Sequence, residues 1–219
     1  MNGTEAYDNS DSAKSANRRN IILTGIGGSG KSTIGRHLAV LIGAGFVDLD
    51  DLIERTVGKK IATIIDIQGE AVFREHERQM LESLQGVQSL VIAVGGGALL
   101  TEESLACARQ IGTIVWVQSA ASEIARRLCK GTSELEKRPL FRDLIAEKNE
   151  EKRRETCQER LKTMMEERIV WYKQADVVLE GSYVTSEMAA QHLREILVTE
   201  KLLDVTLHRF ASWHREVIE

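Results

Sequence analysis

The fold is decided by the stretch Gly25-Ile26-Gly27-Gly28-Ser29-Gly30-Lys31-Ser32-Thr33, which matches the pattern G-x-x-x-x-G-K-[ST]. The apolar, β-branched run at 21–24 precedes it and predicts a buried strand. Residues 34–42 follow it and carry apolar side chains at helical spacing, which predicts a helix. A strand, a glycine-rich loop and a helix in this order are typical of a phosphate-binding loop, called the P-loop below.

The residue types in the P-loop suit the binding of anionic oxygens. Its glycines allow successive backbone N–H groups to turn inward at a helix N-terminus, where they can surround a phosphate. We expect the Lys31 ammonium to reach the β- and γ-phosphates and the Ser32 hydroxyl to ligate Mg²⁺. The motif therefore predicts binding of ATP or GTP. The predicted nucleotide contacts are Gly28, Ser29, Gly30, Lys31, Ser32 and Thr33.

Composition excludes several other classes of protein. A chain of 219 residues suits one domain with extensions, and a formal charge of −4 gives no reason to expect binding to nucleic acid or to an acidic membrane. No apolar run approaches the roughly 20 residues that span a bilayer. The first residues lack the apolar core of a signal peptide, so we expect a cytoplasmic protein. The three widely spaced cysteines predict free thiols in a reducing compartment.

The chain divides into three parts. Residues 1–19 are polar and predict a disordered tail, whereas 20–200 alternate between strand and helix patterns. The extension 201–219 is apolar at helical spacing, and we expect it to pack back on the core rather than to recruit a partner.

The alternation within 20–200 predicts an α/β fold. It is a three-layer α/β/α arrangement with a five-stranded parallel sheet, whose ligands lie at the carboxyl ends of the strands. The predicted strands are 21–24, 46–50, 90–94, 113–117 and 177–179. The predicted helices are 51–57, 69–84, 102–111, 122–128, a long charged helix that ends at 173, and 186–200.

Asp48 and Asp50 form a D-x-D pair at the end of the second predicted strand. Two carboxylates at this edge of the sheet lie near the P-loop, where one can hold Mg²⁺ through water. The other can accept a hydrogen bond from a substrate hydroxyl and orient it for attack. The alternative interpretation is a solvated pair that caps the next helix.

The motifs of this chain, taken in order, resemble those of the shikimate kinase family. After the P-loop they are Phe46-x-Asp48-x-Asp50, Gly69-Glu70-x-x-Phe73-Arg74-x-x-Glu77, Gly95-Gly96-Gly97, Arg138-Pro139-Leu140, and Arg168 shortly before Tyr172. The resemblance spans roughly residues 21–196. It implies ATP-dependent phosphorylation of the 3-hydroxyl of shikimate, in the pathway to aromatic amino acids. It also implies the P-loop kinase fold with a mobile lid at about 129–150.

The resemblance assigns roles on the acceptor side of the site. It implies that Arg74 and Arg168 clamp the shikimate carboxylate, a task that suits the planar fork of arginine. Glu77, one turn after Arg74, is expected to hold that guanidinium in place. Asp50 is the residue implied to position the attacking oxygen. The glycines expected to let backbone lie against the ring are Gly95, Gly96 and Gly97.

The resemblance also assigns roles on the nucleotide side. Arg127 resembles the arginine that stacks on adenine, and Arg138 in the lid is expected to neutralise charge on the transferring phosphoryl group. Lys31, Asp50 and Arg138 are thus the predicted catalytic residues. Ser32 and Asp48 are the predicted ligands of Mg²⁺.

Two alternative functions remain open at the level of the sequence. One is a kinase of the same architecture for another small hydroxy acid, such as gluconate. The other is a non-catalytic domain that senses shikimate. We expect a monomer whose partner is the small-molecule substrate rather than nucleic acid or a membrane.

Overall fold

The computed structural model describes residues 20–136 and 138–203 of the chain. Its central sheet has five parallel strands in the order β2-β3-β1-β4-β5. The strands are β1 (Asn20–Thr24), β2 (Gly45–Asp48), β3 (Leu90–Ala93), β4 (Gly112–Val117) and β5 (Val177–Leu179). The predicted five-stranded parallel sheet is therefore confirmed.

Helices cover both faces of this sheet. The helices of the described chain are α1 (Lys31–Ile42), α2 (Leu49–Val57), α3 (Ile61–Gln68), α4 (Glu70–Ser83), α5 (Glu102–Ile111), α6 (Ala121–Leu128), α7 (Ser133–Glu136), α8 (Glu150–Tyr172) and α9 (Ser186–Thr199). Apolar side chains of α1 and α9 pack on one face. Those of α2, α3, α4 and α5 pack on the other. The three-layer arrangement is thus confirmed.

The middle strand β1 shows why the sheet needs cover on both sides. Ile21 and Leu23 point to the face covered by α1, while Ile22 points to the opposite face. All three side chains are almost completely buried. Because successive side chains of a strand alternate between faces, a run of consecutive apolar residues requires two apolar layers around it.

The second strand ends earlier than the sequence predicts. We expected it to reach Asp50, but β2 ends at Asp48 and α2 begins at Leu49. The carboxylate of Asp48 accepts a hydrogen bond from the backbone N–H of Asp50 at 3.2 Å and so caps the helix. Asp50 therefore lies in the first turn of α2, where a carboxylate also interacts favourably with the helix dipole.

Two further segments differ from the prediction. Helix α3 was overlooked, although Ile61, Ile64 and Ile65 follow the helical period. The segment between α6 and α8, for which the sequence predicts no helix, contains α7 and a 3-10 helix over Pro139–Ala146. Their apolar side chains are buried against α6 and α8. The buried members are Leu135, Phe141 and Leu144.

Most of the two predicted terminal extensions lies outside the described residues. The disordered tail at 1–19 and the helical extension beyond 203 stay predictions. The start of the extension is described, and there Leu202 and Leu203 pack against the apolar cluster that includes α9. Within 20–136 and 138–203, no helix combines the length and apolar character that crossing a membrane requires.

Asn20 ties β1 to the chain segments that enter the two neighbouring strands. Its buried amide nitrogen donates to the carbonyl oxygens of Val87 at 2.7 Å and Ile111 at 3.3 Å. Its amide oxygen accepts from the N–H of Leu90 at 2.9 Å. One side chain thus satisfies three backbone groups at the amino end of the sheet.

We expect Asn20→Ala to lower the free energy of unfolding by about 2–3 kcal/mol, because buried backbone groups lose their partners. Urea denaturation measures the loss. Asn149→Ala is the matched control, since Asn149 caps the exposed start of α8 and its loss is expected to cost about 1 kcal/mol. Equal losses in the two variants would contradict this account of Asn20.

Candidate active site

The topology brings two loops together at the carboxyl edge of the sheet. The P-loop follows β1, and Gly95–Gly97 follow the neighbouring strand β3. After β1 the chain enters α1 on one face, while after β3 it enters α5 on the other. When the connections after two adjacent strands run to opposite faces of the sheet, a crevice forms between them at the carboxyl edge. Open α/β sheets bind their ligands in this crevice.

The P-loop has the backbone that an anion site requires. Gly28 and Gly30 have φ of 90° and 100°, in the left-handed region that favours glycine. Helix α1 begins directly after Gly30, and its first turn contains no acid. The free N–H groups and positive dipole end of α1 therefore face the crevice.

Lys31 lies buried beneath the loop. Its ammonium donates to the carbonyl oxygens of Gly25 at 2.7 Å and Ile26 at 3.1 Å. Burial lowers its pKa to about 8, although the nearby carboxylates of Asp50 and Asp48 oppose that shift. The cations Arg138 and Arg168 also lower this pKa. All four charged side chains are thus close enough to influence one ammonium.

A cavity of about 850 Å³ opens above the P-loop. It is lined by Gly28 to Thr33, by both aspartates of the D-x-D pair, and by the start of the predicted lid. Arg127 lines it as well, where its Nη1 donates to the Gly28 carbonyl at 3.2 Å and its Nη2 pairs with Glu123 at 2.6 Å. The predicted nucleotide residues therefore share one cavity.

The predicted lid cation faces the same cavity. Arg138 pairs with the carboxylate of Glu134 at 2.8 Å and donates to its carbonyl oxygen at 2.6 Å. Arg142, only four residues further on, pairs instead with Asp66 on α3 at 2.9 Å and does not line the cavity. Arg138, the arginine that the family resemblance singles out, therefore faces the cavity, whereas Arg142 does not.

The acceptor side of the crevice is organised around the three glycines. At Gly95, an added Cβ atom would overlap Oε1 of Glu77 and lie 3.3 Å from Oδ1 of Asp50. At Gly97, it would lie 2.6 Å from Nη1 of Arg74. The glycines thus make room for the site's own charged side chains, a role that sequence reasoning missed.

Gly96 contacts the P-loop backbone on one side and two side chains of α8 on the other. A Cβ there would lie 3.0 Å from the carbonyl oxygen of Gly25 and 3.2 Å from the N–H nitrogen of Gly27, so its backbone rests on the P-loop. Its own carbonyl oxygen accepts from Nη1 of Arg168 at 3.2 Å and from the Tyr172 hydroxyl at 2.7 Å. The sequence pointed to Arg168 but gave Tyr172 no role.

Glu77 anchors Arg74, as predicted. The two side chains form an ion pair one turn apart on α4, and Glu70 pairs with the same guanidinium at 2.6 Å. Glu77 is 3% exposed, so its carboxylate is fixed beneath the site. Arg74 keeps about a third of its side chain exposed, and its guanidinium lies beside Gly97.

Burial raises the pKa of both acceptor-side carboxyls. The pKa of Asp50 rises to about 6, with the neighbouring charge of Asp48 adding to the effect. That of Glu77 rises to about 7, although Arg74 opposes the shift. Oδ1 of Asp50 and Oε1 of Glu77 are buried without a hydrogen-bond partner among the described residues. Two unsatisfied acceptors beside the glycines suit a ligand that brings hydroxyl donors.

Two groups of cavity residues were missed by sequence reasoning. Gln118 and Ser119 follow β4, and Gly181 and Tyr183 to Ser186 follow β5. Their position after the carboxyl ends of predicted strands was the feature of the sequence that could have identified them as cavity residues. Ser119 contributes to the P-loop itself, because its hydroxyl donates to the carbonyl oxygen of Ser29 at 3.3 Å.

Comparison with known proteins agrees with this geometry. The family model described as shikimate kinase matches residues 27–198. A shikimate kinase from Chlorobium chlorochromatii is 41% identical over 160 residues, which are 73% of this chain and 80% of the relative. One from Chlorobium limicola is 39% identical over 191 residues, 87% of each chain.

A solved structure is similar along almost its whole length. Shikimate kinase from Acinetobacter baumannii in complex with shikimate superposes with a TM-score of 0.74 and 30% sequence identity. The match covers 87% of this chain and 99% of the other. The P-loop, the crevice beside Gly95–Gly97 and these relatives lead to one conclusion: the chain belongs to the shikimate kinase family.

Proposed function

We propose that this protein transfers the γ-phosphoryl group of ATP to the 3-hydroxyl of shikimate, giving shikimate 3-phosphate and ADP. The observation that carries the proposal is the arrangement around Gly95–Gly97. There, two arginines and two carboxyl groups, each with one buried oxygen, surround a loop that rests on the P-loop.

This arrangement matches the chemistry of the acceptor. Shikimate has one carboxylate and three hydroxyls, so its site needs cations at one end and hydrogen-bond acceptors at the other. Arg74 and Arg168 supply guanidinium groups from different helices, α4 and α8. The unsatisfied oxygens of Asp50 and Glu77 supply the acceptors. Asp50, which lines the cavity and whose charge acts most strongly on Lys31, orients the attacking hydroxyl.

The donor side follows from the P-loop. Backbone N–H groups of Gly28 to Thr33 hold the phosphates, and Lys31 turns its ammonium from the loop carbonyls to the β- and γ-oxygens. Arg127, beside Gly28, faces the base end of the same cavity.

The residues present also fit Mg²⁺. Ser32 and Asp48 line the cavity together, and their hydroxyl and carboxylate oxygens are the donors that Mg²⁺ requires. Mg²⁺ keeps most of its water ligands, so one or two protein oxygens together with the phosphates suffice to hold it. When bound, Mg²⁺ neutralises charge on the phosphates.

Arg138 completes the catalytic set from the predicted lid. It lines the same cavity as Lys31 and the P-loop, so its guanidinium can meet the transferring phosphoryl group after leaving Glu134. Closure of the segment 129–150 would exclude water, which competes with the hydroxyl for the phosphoryl group.

The proposed setting is a cytoplasmic monomer. The cavity brings together the P-loop, the D-x-D pair and Arg138, which are the groups that the proposed reaction requires. The free thiols of Cys107, Cys129 and Cys157 are typical of a reducing compartment.

One assay separates this function from its alternatives. ADP release is measured in a coupled assay with shikimate, quinate and gluconate as acceptors. We expect turnover with shikimate and much weaker turnover with the other two acids. A preference for gluconate would identify a different small-molecule kinase, and shikimate binding without ADP release would identify a sensing domain.

The acceptor clamp gives a direct prediction. Arg74→Ala and Arg168→Ala should each weaken shikimate binding roughly 10- to 150-fold, the equivalent of a lost charge-assisted hydrogen bond of ~1.5–3 kcal/mol. Titration calorimetry with shikimate and with ADP measures both affinities, and that for ADP should stay nearly unchanged. Arg78→Ala is the control, because Arg78 lies one turn after Arg74 and pairs with exposed glutamates. Unchanged shikimate affinity in either clamp variant would refute that residue's assignment.

Arg138, the cation of the predicted lid, gives a prediction about the catalytic rate rather than about substrate affinity. Arg138→Ala should lower kcat about 10²-fold or more with little change in KM, because its contact with developing charge is made in the transition state. Arg138→Lys should recover only part, since a point charge cannot bridge two oxygens. Arg142→Ala is the control and should retain kcat, because Asp66 holds Arg142 away from the cavity. If Arg142→Ala loses the rate and Arg138→Ala does not, the two assignments are reversed.

A further inference from the structure

Two residues of α8 donate to the same backbone oxygen in the acceptor site. Arg168 and Tyr172 lie four residues apart, so both side chains project from one face of the helix. Both reach the carbonyl oxygen of Gly96, whose two lone pairs accept both bonds. If one of these two donors is removed, the other is therefore the member of the pair left to hydrogen-bond the Gly96 carbonyl oxygen.

The two hydrogen bonds differ in quality. The Tyr172 hydroxyl lies 2.7 Å from the oxygen, the usual distance for a well-formed O–H···O bond. Nη1 of Arg168 lies 3.2 Å away, at the long end of the range for N–H···O. The carbonyl is thus held mainly by Tyr172, and the guanidinium can leave it at small cost.

Tyr172 is itself held firmly. Its side chain is buried, and its ring stacks on Trp116 of β4 with centroids 5.7 Å apart. Burial raises the pKa of the phenol, so the hydroxyl remains a donor across neutral pH. Trp116 also lies beside Gly25 at the start of the P-loop. The position of the Tyr172 hydroxyl is therefore fixed by the stacking of its ring on the sheet. The guanidinium of Arg168, in contrast, lies at the mobile end of a long side chain.

We propose that Tyr172 is a positioning residue for the acceptor: by satisfying the Gly96 carbonyl, its hydroxyl frees the guanidinium of Arg168 to bind the acceptor carboxylate. The inference rests on the proposed function, since it takes shikimate as the anion. Without the hydroxyl, Arg168 is the one remaining member of this donor pair. The half-buried carbonyl and the carboxylate then compete for the same N–H groups.

The test is direct binding of shikimate to Tyr172→Phe, which keeps the ring stacked on Trp116. The loss of a neutral hydrogen bond predicts a dissociation constant for shikimate roughly 3- to 10-fold higher, with that for ADP unchanged. Thr156→Val is the control, because the Thr156 hydroxyl lies on the same helix, also donates to a backbone carbonyl (that of Lys152 at 3.0 Å) and does not line the cavity. Its removal should leave shikimate affinity unchanged.

A double-mutant cycle with Arg168→Ala shows whether Tyr172 acts through Arg168. In that background, Tyr172→Phe should cause no further loss of shikimate affinity. An equal loss in both backgrounds would overturn the proposal, as would unchanged affinity in Tyr172→Phe alone. A variant that does not fold would also overturn it, because the hydroxyl would then support the fold rather than the acceptor.

The unmodified protein distinguishes this proposal from the proposed function. If it does not bind shikimate at all, the proposed function fails. If it binds shikimate and Tyr172→Phe binds equally well, only the role of Tyr172 fails.

Discussion

The contact between the Gly96 backbone and the P-loop sets the geometry of the whole site. Gly96 lies so close to Gly25 and Gly27 that a single methyl group would press on their backbone atoms. The P-loop after β1 and the Gly95–Gly97 loop after β3, the proposed donor and acceptor loops, are therefore spaced by main-chain contact and by a shared sheet register. Spacing of this kind varies less than spacing by long side chains, which suits a reaction that needs two substrates in line.

Several charged side chains lie close to this contact, and burying them costs folding free energy. Burial lowers the pKa of Lys31 and raises those of Asp50 and Glu77, which means that each charged form is less stable here than in water. The opposite charges offset part of that penalty, as Asp50 does for Lys31 and Arg74 does for Glu77. Shifts of this size are typical of functional sites, where groups are held ready for substrate rather than satisfied by the protein.

The sequence predicts those parts of the molecule that depend on local pattern. The P-loop, the five strands and the two-sided cover follow from apolar runs and glycine spacing within short windows. The end of β2 was wrong, because Asp48 closes a helix cap, and capping by aspartate competes with a strand that continues to Asp50. The contacts of Tyr172 and Arg168 with Gly96 join residues more than 70 positions apart, so no local pattern contains them.

The central claim is that Gly96 couples the two substrate sites through its backbone, and the pair Gly96→Ala and Gly97→Ala tests it most directly. A methyl group at 96 meets the backbone of the P-loop, whereas one at 97 meets the movable guanidinium of Arg74. Titration calorimetry with shikimate and with ADP should show Gly96→Ala weakening both ligands and Gly97→Ala weakening shikimate alone. Normal ADP affinity in Gly96→Ala would contradict the account.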